Sequence, residues 1–211
     1  MAISCVNSER LFWLGRYSER VYTGLRLFMA EYDAMSGGRL SEEYARRYCF
    51  DADNTGSVSF SLMRAYDNAI VLRDEIGTET FSYIQMAVYD MNTARRSPAP
   101  LMQLQKIIDN IAAFWGMADD RIDDEQVRGI IKLGKRVERV DLYARNNAGS
   151  DDIRREIRRL SYRIGRTGLR YNAERLDSLN ALAEDREINR PEIVKEVEAL
   201  ADIYSAGKCE G

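Results

Sequence analysis

The chain has no histidine among its 211 residues. That absence removes His-based triads, His general bases and every His-containing metal site. A di-iron bundle of the ferritin kind needs Glu-x-x-His on two helices and is excluded with them. Cysteine is scarce: Cys5, Cys49 and Cys209 are far apart and odd in number. They argue against a zinc site or a disulfide framework and suit a reducing cytoplasm. Proline is limited to Pro98, Pro100 and Pro191, which favours helices over many short strands. No apolar run approaches about 18 residues, so no transmembrane helix is expected. Glu9 and Arg10 interrupt the first apolar stretch, and no signal-peptide pattern is present. A Gly-rich phosphate loop, a Cys-x-x-Cys pair and a nucleophile elbow are also missing. Positive charge is not concentrated either. The net charge is −3 with Lys and Arg spread along the chain, which gives a nucleic-acid partner no bulk electrostatic support.

What is present is ordinary globular composition, 45% hydrophobic and 31% charged, in a chain long enough for a sizeable core. Apolar residues recur at helical spacing. A first helix is predicted from Ser8, its N-cap, to Met35, ended by Ser36-Gly37-Gly38. Further helices are predicted over 41–49, 57–75, 78–95, 101–117, 124–146, 151–171 and 173–184, with a last one after Pro191 and a frayed end over 207–211. Asp119, Asp120, Asp123 and Asp124 form an acidic turn that caps the 124–146 helix. No segment alternates as a strand. The expectation is an all-α bundle of seven to nine helices without a β-sheet.

Two stretches are similar. Residues 14–21 read Leu-Gly-Arg-Tyr-Ser-Glu-Arg-Val and residues 133–140 read Leu-Gly-Lys-Arg-Val-Glu-Arg-Val. The helical phase carries over as well: Leu11, Leu14, Ser18, Val21 and Leu25 fall on Ile130, Leu133, Val137, Val140 and Ala144, and Arg26 falls on Arg145. An internal duplication is expected, with a first repeat over 1–118 and a shortened second over 119–211, packed as one helical domain.

In the first copy, Arg16, Glu19, Arg20 and Arg26 lie opposite the apolar seam. Phe12, Trp13 and Leu27 share their face, and a helix apolar on nearly all sides is usually buried. A buried charge needs a partner, and Arg offers a planar fork for carboxylates or phosphates. Two readings stand. In one, Glu19 and Glu138 tie helices together through arginines. In the other, the arginines face a cleft and hold an anionic group.

The stretch Leu11-Phe-Trp-Leu-Gly-Arg-Tyr-Ser-Glu-Arg-Val21 resembles the opening of the alpha-E domain family, a helical domain with a Glu-Arg motif that typically occurs in tandem. Asp51-Ala-Asp-Asn-Thr-Gly-Ser-Val58, with Ala65 to Glu79, resembles its middle block, and Asp119 to Glu125 through Val137-Glu-Arg-Val140 its second half. The resemblance covers about residues 8–145. The chain departs from the family pattern at Lys135 and Tyr66, where Arg is usual, at Phe81, where Trp is usual, and in its shorter second half. The resemblance implies two sets of binding residues: the Glu-Arg clusters Arg16, Glu19, Arg20, Arg26, Lys135, Glu138, Arg139 and Arg145, and the middle-block positions Asn68, Arg73 and Glu79. It also implies a context, association with ATP-grasp-type ligases, transglutaminase-like proteins and peptidases in a bacterial peptide synthesis or modification system, but no established reaction.

Other candidate sites are weaker. Asp51-x-Asp53-x-Thr55-Gly56 begins like an EF-hand loop, but Leu62 stands where a bidentate Glu is required. A polar loop in which Asn54, Thr55 or Ser57 caps the next helix is the better reading. Asp119, Asp120, Asp123, Asp124 and Glu125 form a set for Mg²⁺ or, preferably, a capping turn. Asn68 and Arg73 are five residues apart and do not share a helix face.

The function expected is that of a non-catalytic, cytoplasmic helical partner of a peptide-ligating enzyme. It binds that enzyme, or presents an anionic peptide through Arg16, Arg20, Arg73 and Arg139, without cofactor, metal, nucleic acid or membrane. The alternatives are an amide or acyl transferase using Glu19 or Glu138 as general base, and a purely structural scaffold.

Overall fold

The computed structural model of the protein describes residues 3–35, 41–167, 169 and 171–205. These residues form ten α-helices and no strand. The helices are α1 (Cys5–Ala34), α2 (Glu42–Ala45), which runs on into a π-helical turn (Arg46–Phe50), α3 (Val58–Val71), α4 (Arg73–Ile76), α5 (Thr78–Ala94), α6 (Pro100–Arg121), α7 (Glu125–Arg145), α8 (Ser150–Ile164), α9 (Ala173–Glu184) and α10 (Arg190–Ser205). The all-α expectation holds. The tenth helix arises because Leu72, with ψ near 12°, interrupts the predicted 57–75 helix and separates α4 from α3.

The helix ends are set by local hydrogen bonds. Ser57 caps α3, its hydroxyl accepting from the Phe60 N–H at 3.0 Å, and Asp124 caps α7, accepting from Gln126 and Val127 at 2.8 and 3.1 Å. Ser8 is not a cap. α1 begins three residues earlier, where Ser4 Oγ accepts from the Asn7 N–H. Asp119 and Asp120 lie inside α6, so the acidic turn is shorter than predicted, and Asp124 caps α7. The predicted 151–171 helix stops at Ile164, where Gly165 follows and Thr167 Oγ1 donates to the Ile164 carbonyl at 2.9 Å. Two turns use left-handed backbone: Gly77 (φ 80°) before α5, and Asn147 (φ 54°) between α7 and α8, residues that tolerate it better than most. The predicted stop at Ser36-Gly37-Gly38 and the end at 207–211 lie outside the described residues.

The chain divides into two compact units, Tyr17–Asp123 and Met1–Arg16 with Asp124–Gly211. In the second of these, α7 packs on α8 and α10, and α9 packs on α8 and α10. α7 buries Val127, Ile130, Leu133, Val137, Val140 and Ala144, and α8 buries Ile153, Ile157, Leu160 and Ile164. Arg154 of α8 closes the end of α9 by donating to the carbonyls of Ala183, Asp185 and Arg186, satisfying acceptors that the helix terminus leaves open.

The first turns of α1 cross α7 within this unit at two glycines. A Cβ on Gly15 would lie 2.1 Å from the Ile131 carbonyl oxygen and 3.0 Å from the Lys135 nitrogen; on Gly134 it would lie 2.0 Å from the Phe12 carbonyl oxygen and 3.1 Å from the Arg16 nitrogen. Ile131 and Lys135 are the repeat counterparts of Phe12 and Arg16. The crossing is therefore reciprocal in the manner of a two-fold interface, residue i of one copy meeting residue j of the other and the converse. Only glycine lets the backbones approach so closely.

In the Tyr17–Asp123 unit, α5 packs on α6 and α3. Ile84, Ala87, Met91, Ile107, Ile111 and Phe114 are buried there. Trp115 of α6 donates to Ser18 Oγ at 3.2 Å and its ring lies 4.6 Å from that of Tyr22. Tyr48, in the π-helical turn, stacks on Phe28 and Tyr44 and donates to the Gly24 carbonyl. Both copies of the repeated seam are fully buried: Leu11, Leu14, Ser18, Val21 and Leu25, and Ile130, Leu133, Val137, Val140 and Ala144.

Candidate functional site

Both motif glutamates face the interior. Glu19 and Glu138 have no exposed surface. A carboxylate in that position must be hydrogen-bonded or paired. Glu138 meets the Arg16 guanidinium, Nε to Oε2 at 2.7 Å, and Arg16 is itself only 8% exposed. The same guanidinium lies 4.7 Å from the centre of the Trp13 ring, so it sits between an anion and an aromatic face. Glu19 accepts from Thr23 Oγ1 at 2.7 Å, one helical turn on.

Asp141, one turn after Glu138, completes this charged interior in the unit that holds α7. Arg145 Nε donates to its Oδ1 at 2.8 Å, and Arg145 also pairs with Glu198 of α10. Burial, and then the nearby Glu138 charge, push the Asp141 carboxyl above its ordinary range, against the pull of Arg145 and Arg16. Asp141 was not singled out in the sequence, although its four-residue spacing to Arg145 is the standard signal for such a pair.

The remaining motif cations point outward to different degrees. Arg20 and Arg139 are half-buried, as is Lys135. Arg20 lies over the Tyr17 ring at 5.6 Å. Arg26 and Arg145 are exposed, and Arg26 lies over the Tyr22 ring. With few exceptions the buried, half-buried and exposed positions of residues 12–26 recur at 131–145. The second copy thus repeats the environment of the first as well as its letters.

The middle-block residues make separate contacts. Asn68 donates to the Arg64 carbonyl at 2.9 Å. Arg73 is exposed, with Nε 3.3 Å from Thr78 Oγ1 and its guanidinium over Phe81 at 5.6 Å. Glu79 is exposed and lies 3.5 Å from Arg121. The 51–57 loop uses its acids on its own backbone: Asp51 Oδ1 accepts from the N–H groups of Asp53 and Asn54, and Asn54 Oδ1 accepts from Gly56. Among the described residues no group of three or more His, Cys, Asp or Glu side chains is placed to hold a metal ion, and no helix is long and apolar enough to cross a membrane.

Cys49 is free and buried, its thiol pushed up to about 12 by burial.

One family model matches, over residues 32–148, which is more than half of the chain: Alpha-E, described as a predicted alpha-helical domain with a conserved ER motif. The matched span contains Asn68, Arg73, Glu79 and the Glu138-Arg139 pair, and begins after Glu19-Arg20. No curated protein and no solved structure matches.

Proposed function

This chain belongs to the Alpha-E family, and we propose that it is a non-catalytic helical partner in a bacterial peptide synthesis or modification system. Its partner is an ATP-grasp-type ligase or a transglutaminase-like protein, as the resemblance of its motif blocks implies. The observation that carries the non-catalytic reading is the Arg16–Glu138 pair: the motif carboxylate is wholly buried and engaged at 2.7 Å. A general base must reach the proton it removes, directly or through one water. Glu138 instead neutralises a buried cation, which is the work of a structural clamp.

In this reading the Glu-Arg motif holds each copy of the repeat in shape, and the more exposed arginines meet the outside. Arg73 is exposed and Arg20 and Arg139 are half-buried; these are the groups offered to an anionic peptide or to the enzyme, with Arg16 kept for Glu138. The division into repeats at 1–118 and 119–211 belongs to the same proposal, and the reciprocal Gly15–Gly134 crossing supports it. Cytoplasmic placement belongs to the same proposal.

The test is affinity purification of the tagged protein from its native cells, with partners identified by mass spectrometry. Recovery of an ATP-grasp-type ligase in near-stoichiometric amount, lost on Arg73→Ala or Arg139→Ala, supports the proposal. Recovery of the protein alone removes the stable-partner reading.

A further inference from the structure

The strongest concentration of one charge sign lies on α8. Arg155, Arg158, Arg159 and Arg163 recur with Tyr162 at spacings of three and four, which places them along one stripe of the helix, and Arg166 follows in the turn just beyond its end. Arg136 of α7 joins them, and together with Arg155, Arg158, Arg159, Tyr162 and Arg163 it lines an open cavity of about 290 Å³. No acidic side chain lines it. This occurs in a chain whose net charge is −3.

An ordinary solvated helix face alternates sign at these spacings, because like charges three or four residues apart disfavour the helix by about 0.2–0.5 kcal/mol per pair. Here the stripe carries arginine after arginine. Its charge is only partly compensated. Glu156, only 2 % exposed, binds Arg136 and Arg159 at 2.7 Å each, and Asp152 pairs with Arg155. Arg158 and Arg163 have no ion-pair partner among the described residues. The helix dipole favours a cation in the last turn, which accounts for Arg163 and not for Arg155 or Arg158 in the body of α8.

The geometry also pre-orients the site. Glu156 is itself buried and fixes two guanidiniums from two helices, α7 and α8, at the cavity wall. Arg166 lies against the Tyr162 ring at 4.4 Å, which holds a further cation beside the opening. Guanidiniums fixed in advance lose less conformational freedom on binding.

We propose that the cavity between α7 and α8 binds a small ligand carrying clustered phosphate groups, with Arg158 and Arg163 as its principal contacts and Glu156 as the residue that positions Arg136 and Arg159. A phosphoryl group brings close to two negative charges and three acceptor oxygens, and several guanidinium forks around about 290 Å³ match more than one such group. This site is independent of the partner reading above and stands or falls separately.

Calorimetric titration of the whole protein with inorganic triphosphate, with citrate in a parallel arm, tests it. The expected result is saturable binding of triphosphate that weakens at least 10-fold in the Arg158→Ala/Arg163→Ala double variant. In Arg46→Ala/Arg64→Ala, which removes the same charge from exposed positions elsewhere, binding changes less than 2-fold. Absence of saturable binding, equal loss in the two variants, or tighter binding of citrate than of triphosphate overturns the proposal. Both sets of side chains are exposed or half-buried, so circular dichroism is expected to show both variants folded.

Discussion

Gly15 and Gly134 are each other's counterpart in the repeat and each fills the place where the other copy's backbone passes: one faces the Ile131 carbonyl, the other the Phe12 carbonyl, at distances that leave no room for a Cβ. The contact is between main chains, so no side-chain adjustment relieves an added methyl. Gly15→Ala and Gly134→Ala are each expected to destabilise the protein by about 1–3 kcal/mol, the usual cost of overpacking, or more. Because both act on one crossing, the double variant is expected to be less destabilised than the two single effects combined. Gly116→Ala makes the contrast. Gly116 lies inside α6 with nothing within 4 Å of its added Cβ, so the alanine is expected to stabilise by up to about 1 kcal/mol. Urea midpoints of the four variants check all three statements.

Removing one member of the Arg16–Glu138 pair leaves the other charged and buried. Glu138→Gln and Arg16→Met are each expected to cost about 3–5 kcal/mol, while Arg16→Met with Glu138→Leu recovers much of that loss, since an apolar pair of similar volume removes both buried charges. Chemical denaturation measures it. If Glu138→Gln leaves stability unchanged and abolishes an activity instead, the structural account of the motif is wrong.

Asp141 gives a pH dependence of defined sign. Its folded pKa is raised above the ordinary carboxylate value of 3.8, chiefly by burial, so its ionisation is harder in the folded chain than in the unfolded one. Its contribution to stability is therefore full below 3.8 and is lost as pH rises through the raised value. Asp141→Asn removes this titration. Relative to the unsubstituted protein, the variant is expected to gain stability as pH rises from about 3 toward neutrality, as read from denaturant midpoints of the two proteins at each pH. A difference that stays constant across that range, or runs the other way, contradicts the assignment.

Cys49 is buried with its thiol pushed up to about 12, and the thiolate is the reactive form. At pH 8 it is expected to resist a thiol reagent in the native protein and to react at once in denaturant. Native-state labelling as fast as that of a free thiol would place Cys49 at the surface.

The cap assignments separate two serines that look alike in sequence. Ser57→Ala is expected to lower stability by about 1 kcal/mol, because the Phe60 N–H loses its acceptor. Ser8→Ala is expected to change stability by less than about 0.5 kcal/mol, because α1 is already under way at Ser8 and its cap is Ser4. Thermal melts of the two variants distinguish them.

Periodicity and breakers determined the helices. Apolar spacing of three and four, Gly77, Pro100 and the Asn146–Ser150 turn placed most boundaries within a few residues, because these signals act on the local backbone. The similarity of residues 14–21 to 133–140, at an offset of 119 residues, was legible for the same reason: the apolar seam carries the helical phase, and the structure buries it in both stretches. That Phe12, Trp13 and Leu27 share the face of Glu19 was enough to expect a buried glutamate, since a helix apolar all round has no solvent side. The partner of each charge was not legible. Arg16 and Glu138 are 122 residues apart, and nothing local links them. Tertiary packing also decided that Arg73 and Glu79 make separate contacts, that Asp141 and Glu156 carry buried charge, and that arginines from α7 and α8 line one cavity. Each depends on how helices pack within their unit, which is set by side-chain volumes summed over its core, and at the α1–α7 crossing by two glycines whose missing side chains let the main chains touch.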